Sequence, residues 1–258
     1  MADRSDSAAS PNLGTPFLSA RARTGALVLA DGTVFYGVGL GAEGQAVGET
    51  CFVTAMTGYQ ETLTDPSFAG QIVAFTFPHI GIVGANPEDM EAAAPAARGV
   101  VMRMEPTDPS SFRAAERIDR WLAAKNVIGL AGLDTRQLTR RIRERGAPTG
   151  VIVHAADGVL DLAGARAKAA AWPGLEGMDL AREVTCRQAY SWDQTPWALG
   201  EGFGRQTAPR RKIVAIDYGA KLNILRHLAG RGAAVDVVPA TMSAEDILAR
   251  RPDGVFLS

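Results

Sequence analysis

At 258 residues, 47% hydrophobic and 21% charged, the chain has the balance of a soluble globular protein and enough apolar material for a packed core, which excludes global disorder. Its 27 Lys and Arg against 28 Asp and Glu leave a formal net charge of -1, without the basic excess of a nucleic-acid binder. Two cysteines and three histidines cannot supply a cysteine-rich zinc site or a disulfide framework, and no apolar run approaches the ~18–20 residues of a membrane span. The expectation is a cytoplasmic protein with no metal centre and no nucleic-acid or membrane partner.

Residues 1–24 are polar, small and proline-punctuated, with no apolar core for a secretory signal. Asp3 and Asp6 argue against a transit peptide, so a disordered tail is expected. The run Ala26-Leu27-Val28-Leu29, then Asp31-Gly32, then Val34-Phe35-Tyr36 predicts two strands about a turn. Residues 50–56, 71–77 and 99–104 predict further strands, the second apolar enough to be buried on both faces. Between the first two lies a turn-rich stretch ending in Thr64-Asp65-Pro66-Ser67.

Two helices follow. Ser110 or Ser111 is the expected cap of one that places Ile118, Trp121 and Leu122 on one face. Asp134 caps the next, with Leu138 and Ile142 inward and Gly146 as the stop. Residues 149–154 predict a closing strand, so residues 25–172 read as a mixed β/β/α domain. Residues 173–209 lose hydrophobic period and read as a linker. Residues 210–258 alternate strand, helix, strand, helix, strand, the second helix opened by Ser243-x-x-Asp246. That pattern predicts a parallel sheet with right-handed crossovers, truncated at its third strand.

The loop Asp217-Tyr218-Gly219-Ala220-Lys221 has one glycine and matches no phosphate-binding fingerprint, which weakens a stand-alone nucleotide-binding reading. Gly37-Val38-Gly39-Leu40-Gly41 precedes no helix and is read as a loop. Cys51 falls in a strand-like run and reads as a small core residue. Cys186 neighbours Arg187, which would lower its pKa, but neither cysteine lies on a strand-to-helix elbow. His79, His154 and His227 have no metal-ligand spacing; His79 sits in a loop and His227 on a helix. Arg136, Arg140, Arg141, Arg143 and Arg145 crowd the helix after Asp134, either as a solvated basic face or as a docking surface for an acidic partner.

The strings Met56-Thr57-Gly58-Tyr59-Gln60-Glu61, Thr64-Asp65-Pro66-Ser67, Pro78-His79-Ile80-Gly81 and Asp134-Thr135-Arg136 with Leu138-Thr139-Arg140 follow one another in order. They continue through Gly177-Met178-Asp179-Leu180, Ala189-Tyr190-Ser191-Trp192, Asp217-Tyr218-Gly219 with Lys221 and Asn223-Ile224-Leu225-Arg226, and Pro252-Asp253-Gly254-Val255-Phe256-Leu257-Ser258. Together they resemble the small chain of glutamine-dependent carbamoyl phosphate synthetase, from about Ala26 to Ser258.

The resemblance implies an α/β protein: the family's N-terminal domain over 25–172, then the first β-α-β-α-β part of a class I glutamine amidotransferase doubly wound parallel sheet over 210–258. In that family a Cys nucleophile with His and Glu hydrolyses L-glutamine. The ammonia passes to a large chain, which uses ATP and Mg to make carbamoyl phosphate for arginine and pyrimidine biosynthesis. The partners implied are therefore that large subunit, in a heterodimer, and glutamine, with no cofactor in this chain. The triad is expected beyond Ser258, so the chain alone is expected to be inactive. The one substrate-binding position carried over is Ser67. Ile82 departs from the asparagine usual after Pro-His-Ile-Gly. The alternative reading is a non-catalytic docking module derived from that subunit.

Overall fold

The computed structural model describes residues 23–258, so the tail expected over residues 1–24 lies almost wholly outside the described residues. Among the described residues no helix is long and apolar enough to cross a membrane. The protein is mixed α/β and divides into two compact units. One comprises the described residues up to Tyr59 with Gly70–Glu88 and Ala97–Glu176; the other comprises Gln60–Ala69, Asp89–Ala96 and Gly177–Ser258.

The first unit contains β1 (Gly25–Leu29), β2 (Val34–Gly41), β3 (Gly44–Val53), the start of α1 (Tyr59–Thr64), β4 (Gln71–Phe75), β5 (Gly99–Val101), α2 (Ile118–Ala124), β6 (Ile128–Ala131), α3 (Thr135–Arg145), β7 (Thr149–His154) and α4 (Leu162–Ala171). Its strands close into a barrel in the order β1-β2-β6-β5-β4-β3-β7. The β3-β4, β4-β5 and β5-β6 pairs are parallel and the others antiparallel. Period-two alternation sorts the side chains. Leu27, Leu29 and Ile152 join Phe35, Ile72, Ala74 and Leu130 in one cluster, which Leu138 and Ile142 of α3 complete. The alternate residues Ala26, Val28, Val151 and Val153 pack on Ala165 and Ala169 of α4. Each fully buried Leu, Ile or Phe in such a cluster contributes roughly 1.5–3 kcal/mol relative to exposure.

The Asp31-Gly32 turn forms as expected: Gly32 takes φ 90°, and Asp31 Oδ1 accepts the Thr33 N–H at 2.9 Å. Asp134 caps α3 by accepting the Gln137 N–H, and Gly146, at φ 84°, ends it. Two expectations fail. The glycine-rich run 37–41 is not a loop but most of β2, where the missing side chains allow close packing. A Cβ on Gly39 would overlap the His154 ring. Neither Ser110 nor Ser111 caps α2, which starts at Ile118 behind Arg117 without a side-chain cap. Ser111 Oγ instead accepts the Arg113 N–H two residues on, a turn that competes with helix initiation.

The second unit adds α5 (Leu180–Val184), β8 (Tyr190–Trp192), β9 (Gln194–Ala198), β10 (Gly202–Arg205), β11 (Arg211–Asp217), α6 (Leu222–Gly230), β12 (Ala233–Pro239), α7 (Ala244–Ala249) and β13 (Gly254–Leu257). The sheet order is β13-β11-β12-β8, with β11 parallel to both β12 and β13, and β8 antiparallel at the edge. Leu225 of α6 packs with Ala215, Val235 and Val237, whereas Ile247 of α7 packs with Val214, Ile216 and Val238. The helices therefore cover opposite faces of the sheet. Ser243 and Asp246 form the expected cap of α7, Ser243 Oγ accepting the Asp246 N–H at 3.1 Å and donating to Asp246 Oδ2 at 2.9 Å.

Candidate functional site

In the second unit β11 leads through α6 to β12 on one side, and β12 leads through α7 to β13 on the other. The connections thus leave the carboxyl ends of β11 and β12 for opposite faces of the sheet. In open parallel sheets this divergence opens a crevice, and ligands bind there. Here the corresponding position is held by the loop of residues 217–221 at the end of β11, with Ser258 following the neighbouring β13.

Asp217, 7% exposed, ends β11 and organises the loop. Its Oδ1 accepts the Gly219 and Ala220 N–H groups at 2.9 and 2.7 Å, and its Oδ2 accepts the Cys186 N–H at 2.7 Å. One carboxylate thus takes the amides that a phosphate cradle would need. Gly219 adopts φ 107°, and a Cβ there would lie 3.0 Å from Val184 Cγ2 and 3.1 Å from Pro66 Cβ. The turn bearing Ser67 therefore lies directly against this loop.

That turn is built from Asp65, which caps a 3-10 turn over Pro66–Phe68. The buried Asp65 carboxylate accepts the Ser67 N–H at 2.9 Å through Oδ1 and pairs with Lys221 Nζ at 3.1 Å through Oδ2. The Ser67 amide is thereby occupied. Its side chain is exposed, and its hydroxyl makes no hydrogen bond among the described residues.

The second inserted segment holds the other side of the loop. Lys221 gives α6 no side-chain cap. Glu91 supplies it instead: its carbonyl accepts the Leu222 N–H and its Oε2 the Asn223 N–H, each at 2.9 Å. Thr64 Oγ1 accepts the Glu91 N–H at 2.9 Å and donates to Gln60 O at 2.6 Å, tying both segments together. Further along α6, the buried Arg226 stacks over Phe203 at 4.2 Å and donates to Gln194 Oε1 at 2.9 Å. Sequence reasoning singled out Ser67 but missed Asp65, Glu91 and Asp217. For Asp65 the Asp-Pro-Ser order was a usable signal, since Asp before Pro in a turn commonly binds the amide two residues on. The cap by Glu91 left none, because it comes from 132 residues away.

The remaining candidates lie elsewhere or do structural work. Cys51, half-buried in β3, has its thiol pushed up to about 11 by burial and by Glu49. Burial and the nearby Asp217 carboxylate push Cys186 up to about 11 as well, the reverse of what Arg187 suggested. Neither is an activated thiol. His154 Nδ1 lies 2.8 Å from Ala42 O, and His79 packs edge-on to Phe77. His227 is exposed in the last turn of α6. Among the described residues no group of three or more His, Cys, Asp or Glu is placed to hold a metal. Ile82 accepts the Ser110 N–H through its carbonyl, a contact independent of its side chain. On α3, Arg141 pairs with Asp31, and Arg140 reaches Glu144 only at 3.9 Å.

Comparison with known proteins agrees with the order of these motifs. Residues 27–152 match the family model of the carbamoyl-phosphate synthase small chain, CPSase domain. The chain is 61% identical over 239 residues to the carbamoyl phosphate synthase small chain of Bradyrhizobium diazoefficiens, covering 91% of this chain and 60% of that one. It is 59% identical over 235 residues to the Ruegeria pomeroyi small chain (91% and 61%), and 57% identical over 248 residues to that of Mesorhizobium japonicum (95% and 62%). The chain thus spans about 60% of the length of these relatives.

Proposed function

We propose that the chain, whose residues 27–152 match the carbamoyl-phosphate synthase small-chain model and which is 61% identical to one such small chain over 239 residues, supplies the glutamine-docking turn and the opening strands of that family's class I glutamine amidotransferase domain. In this reading the small chain hydrolyses glutamine to glutamate and ammonia. The Cys, His and Glu that attack the amide belong to the part of the family's length that this chain does not span. The ammonia passes to a large-chain partner, which makes carbamoyl phosphate from bicarbonate with ATP and Mg, for arginine and pyrimidine synthesis.

The observation that carries the reading is the Ser67 turn, pinned by Asp65 and Lys221 against the loop at the carboxyl end of β11. With its amide bound to Asp65, Ser67 presents only a hydroxyl, which donates to the bound glutamine. Lys221 balances the Asp65 charge, so the turn does not repel the substrate carboxylate. ATP belongs to the large chain by the family resemblance; in this chain the Asp217 carboxylate already holds the Gly219 and Ala220 amides.

The test uses the parent small chain carrying this sequence, assembled with its large chain and supplied with bicarbonate, ATP and Mg. Glutamine should support carbamoyl phosphate formation with release of one glutamate per product. Synthesis from ammonia alone, with no glutamate released from glutamine, would refute the proposal.

A further inference from the structure

Helix α3 uses its apolar side completely: Thr135, Leu138 and Ile142 are buried, the last two within the barrel cluster. Nothing about that packing needs the opposite side to be basic. Yet Arg136, Arg140 and Arg143, at i, i+4 and i+7, form one exposed ridge, with Arg145 beyond it. Among the described residues Arg136, Arg143 and Arg145 have no ion-pair partner, and Arg140 has only the 3.9 Å approach of Glu144. Arg141, by contrast, is tied down by Asp31.

Arg143 and Arg145 in the last turn suit the macrodipole, but the rest of the ridge does not help the helix: Arg136 in the first turn faces its positive end, and Arg136 and Arg140, like charges at i and i+4, repel. The charge is also local, because the whole chain carries a net -1. Beside the ridge lies a depression of about 500 Å³ lined by Asp134, Arg136, Gln137, Arg140, Arg141, Glu144 and Arg145. All of these come from one helix and its cap. A convex helix surface cannot enclose most of a small ligand, as small-molecule sites do, so the ridge suits the face of another protein better than a small molecule.

We infer that the Arg136–Arg140–Arg143 ridge of α3 is a docking surface for an acidic patch on the large-chain partner. The inference rests on the small-chain reading above and adds where that partner is held. Guanidinium groups on an otherwise solvated rim pair with carboxylates in two-point fashion and steer the encounter.

The test measures binding of purified large chain to this chain, immobilised, at low and at physiological salt. Wild type should bind, more weakly as salt rises. The variant Arg136→Glu/Arg140→Glu/Arg143→Glu should lose about tenfold or more in affinity at low salt, chiefly in association rate, and lose the salt dependence. Glu144→Gln, which removes the acid beside the ridge, should bind more tightly. If the triple variant melts early, Arg136→Gln and Arg143→Gln, which touch no core residue, should each give a smaller loss in the same direction. Equal affinity and salt dependence in wild type and variants would overturn the inference while leaving the small-chain reading intact. Failure of the wild type to bind any large chain would overturn that reading, and this inference with it.

Discussion

Asp217 and Asp65 each end a structural element with a carboxylate that collects backbone N–H groups, three for Asp217 and one plus an ammonium for Asp65. A carboxylate that takes on so many donors is fixed in position and is not available as a catalytic base. The same local field decides the cysteines. Both thiols lie near carboxylates and are half-buried, so the neutral form is favoured in the folded chain. The folded pKa of about 11 exceeds the ordinary 9.0 of an exposed thiol. A raised folded pKa means that this contribution to stability is complete below pH 9 and is lost as pH rises from 9 to 11, because the unfolded chain ionises first. Alkylation of the native chain by iodoacetamide should therefore be slow at pH 8 and accelerate only toward pH 11. In urea the acceleration should centre near pH 9. A native rate at pH 8 equal to the rate in urea would contradict the assignment of both thiols as structural.

Elements whose signals are local were legible in the sequence. The Asp31-Gly32 hairpin and the Asp134 and Ser243 caps rest on contacts within a few residues, and the three parallel strands were legible from their own apolar runs and the helices between them; all form. Elements defined by distant partners were not. The glycines of β2 carry no turn; they make room for β6 and β7, and nothing within ten residues reveals that. Ser110 and Ser111 had the composition of a cap, but Ser111 spends its hydroxyl on a tighter turn. Gly39 gives this argument a test. Gly39→Ala should cost roughly 1–3 kcal/mol through overlap with His154. In a double-mutant cycle with His154→Ala the two losses should be less than additive, since removing the ring removes the overlap. Additive melting losses would mean that Gly39 serves some other purpose.

At the scale of the molecule, the closure of seven strands into a barrel joins segments more than a hundred residues apart, as in the pairing of Gly25 with His154. Hydrophobic pattern fixes which face of each strand is buried but not which strand lies beside it. For the same reason the sequence did not show that Gln60–Ala69 and Asp89–Ala96 belong with the C-terminal sheet, although they carry Ser67 and the cap of α6. Ser67 was singled out only through the order of motifs around it, since a serine in a turn is ordinarily just a turn residue, and its role toward glutamine is a proposal.

The central claim is that this serine meets glutamine, and donor choice tests it most directly. In the assembled parent enzyme, Ser67→Ala removes the hydroxyl while Asp65 keeps the turn in place. A hydrogen bond to a charged group contributes roughly 1.5–3 kcal/mol, so the KM for glutamine should rise roughly ten- to a hundredfold. Synthesis from free ammonia should be almost unchanged. An unaltered glutamine KM, or equal losses with glutamine and ammonia, would contradict the account.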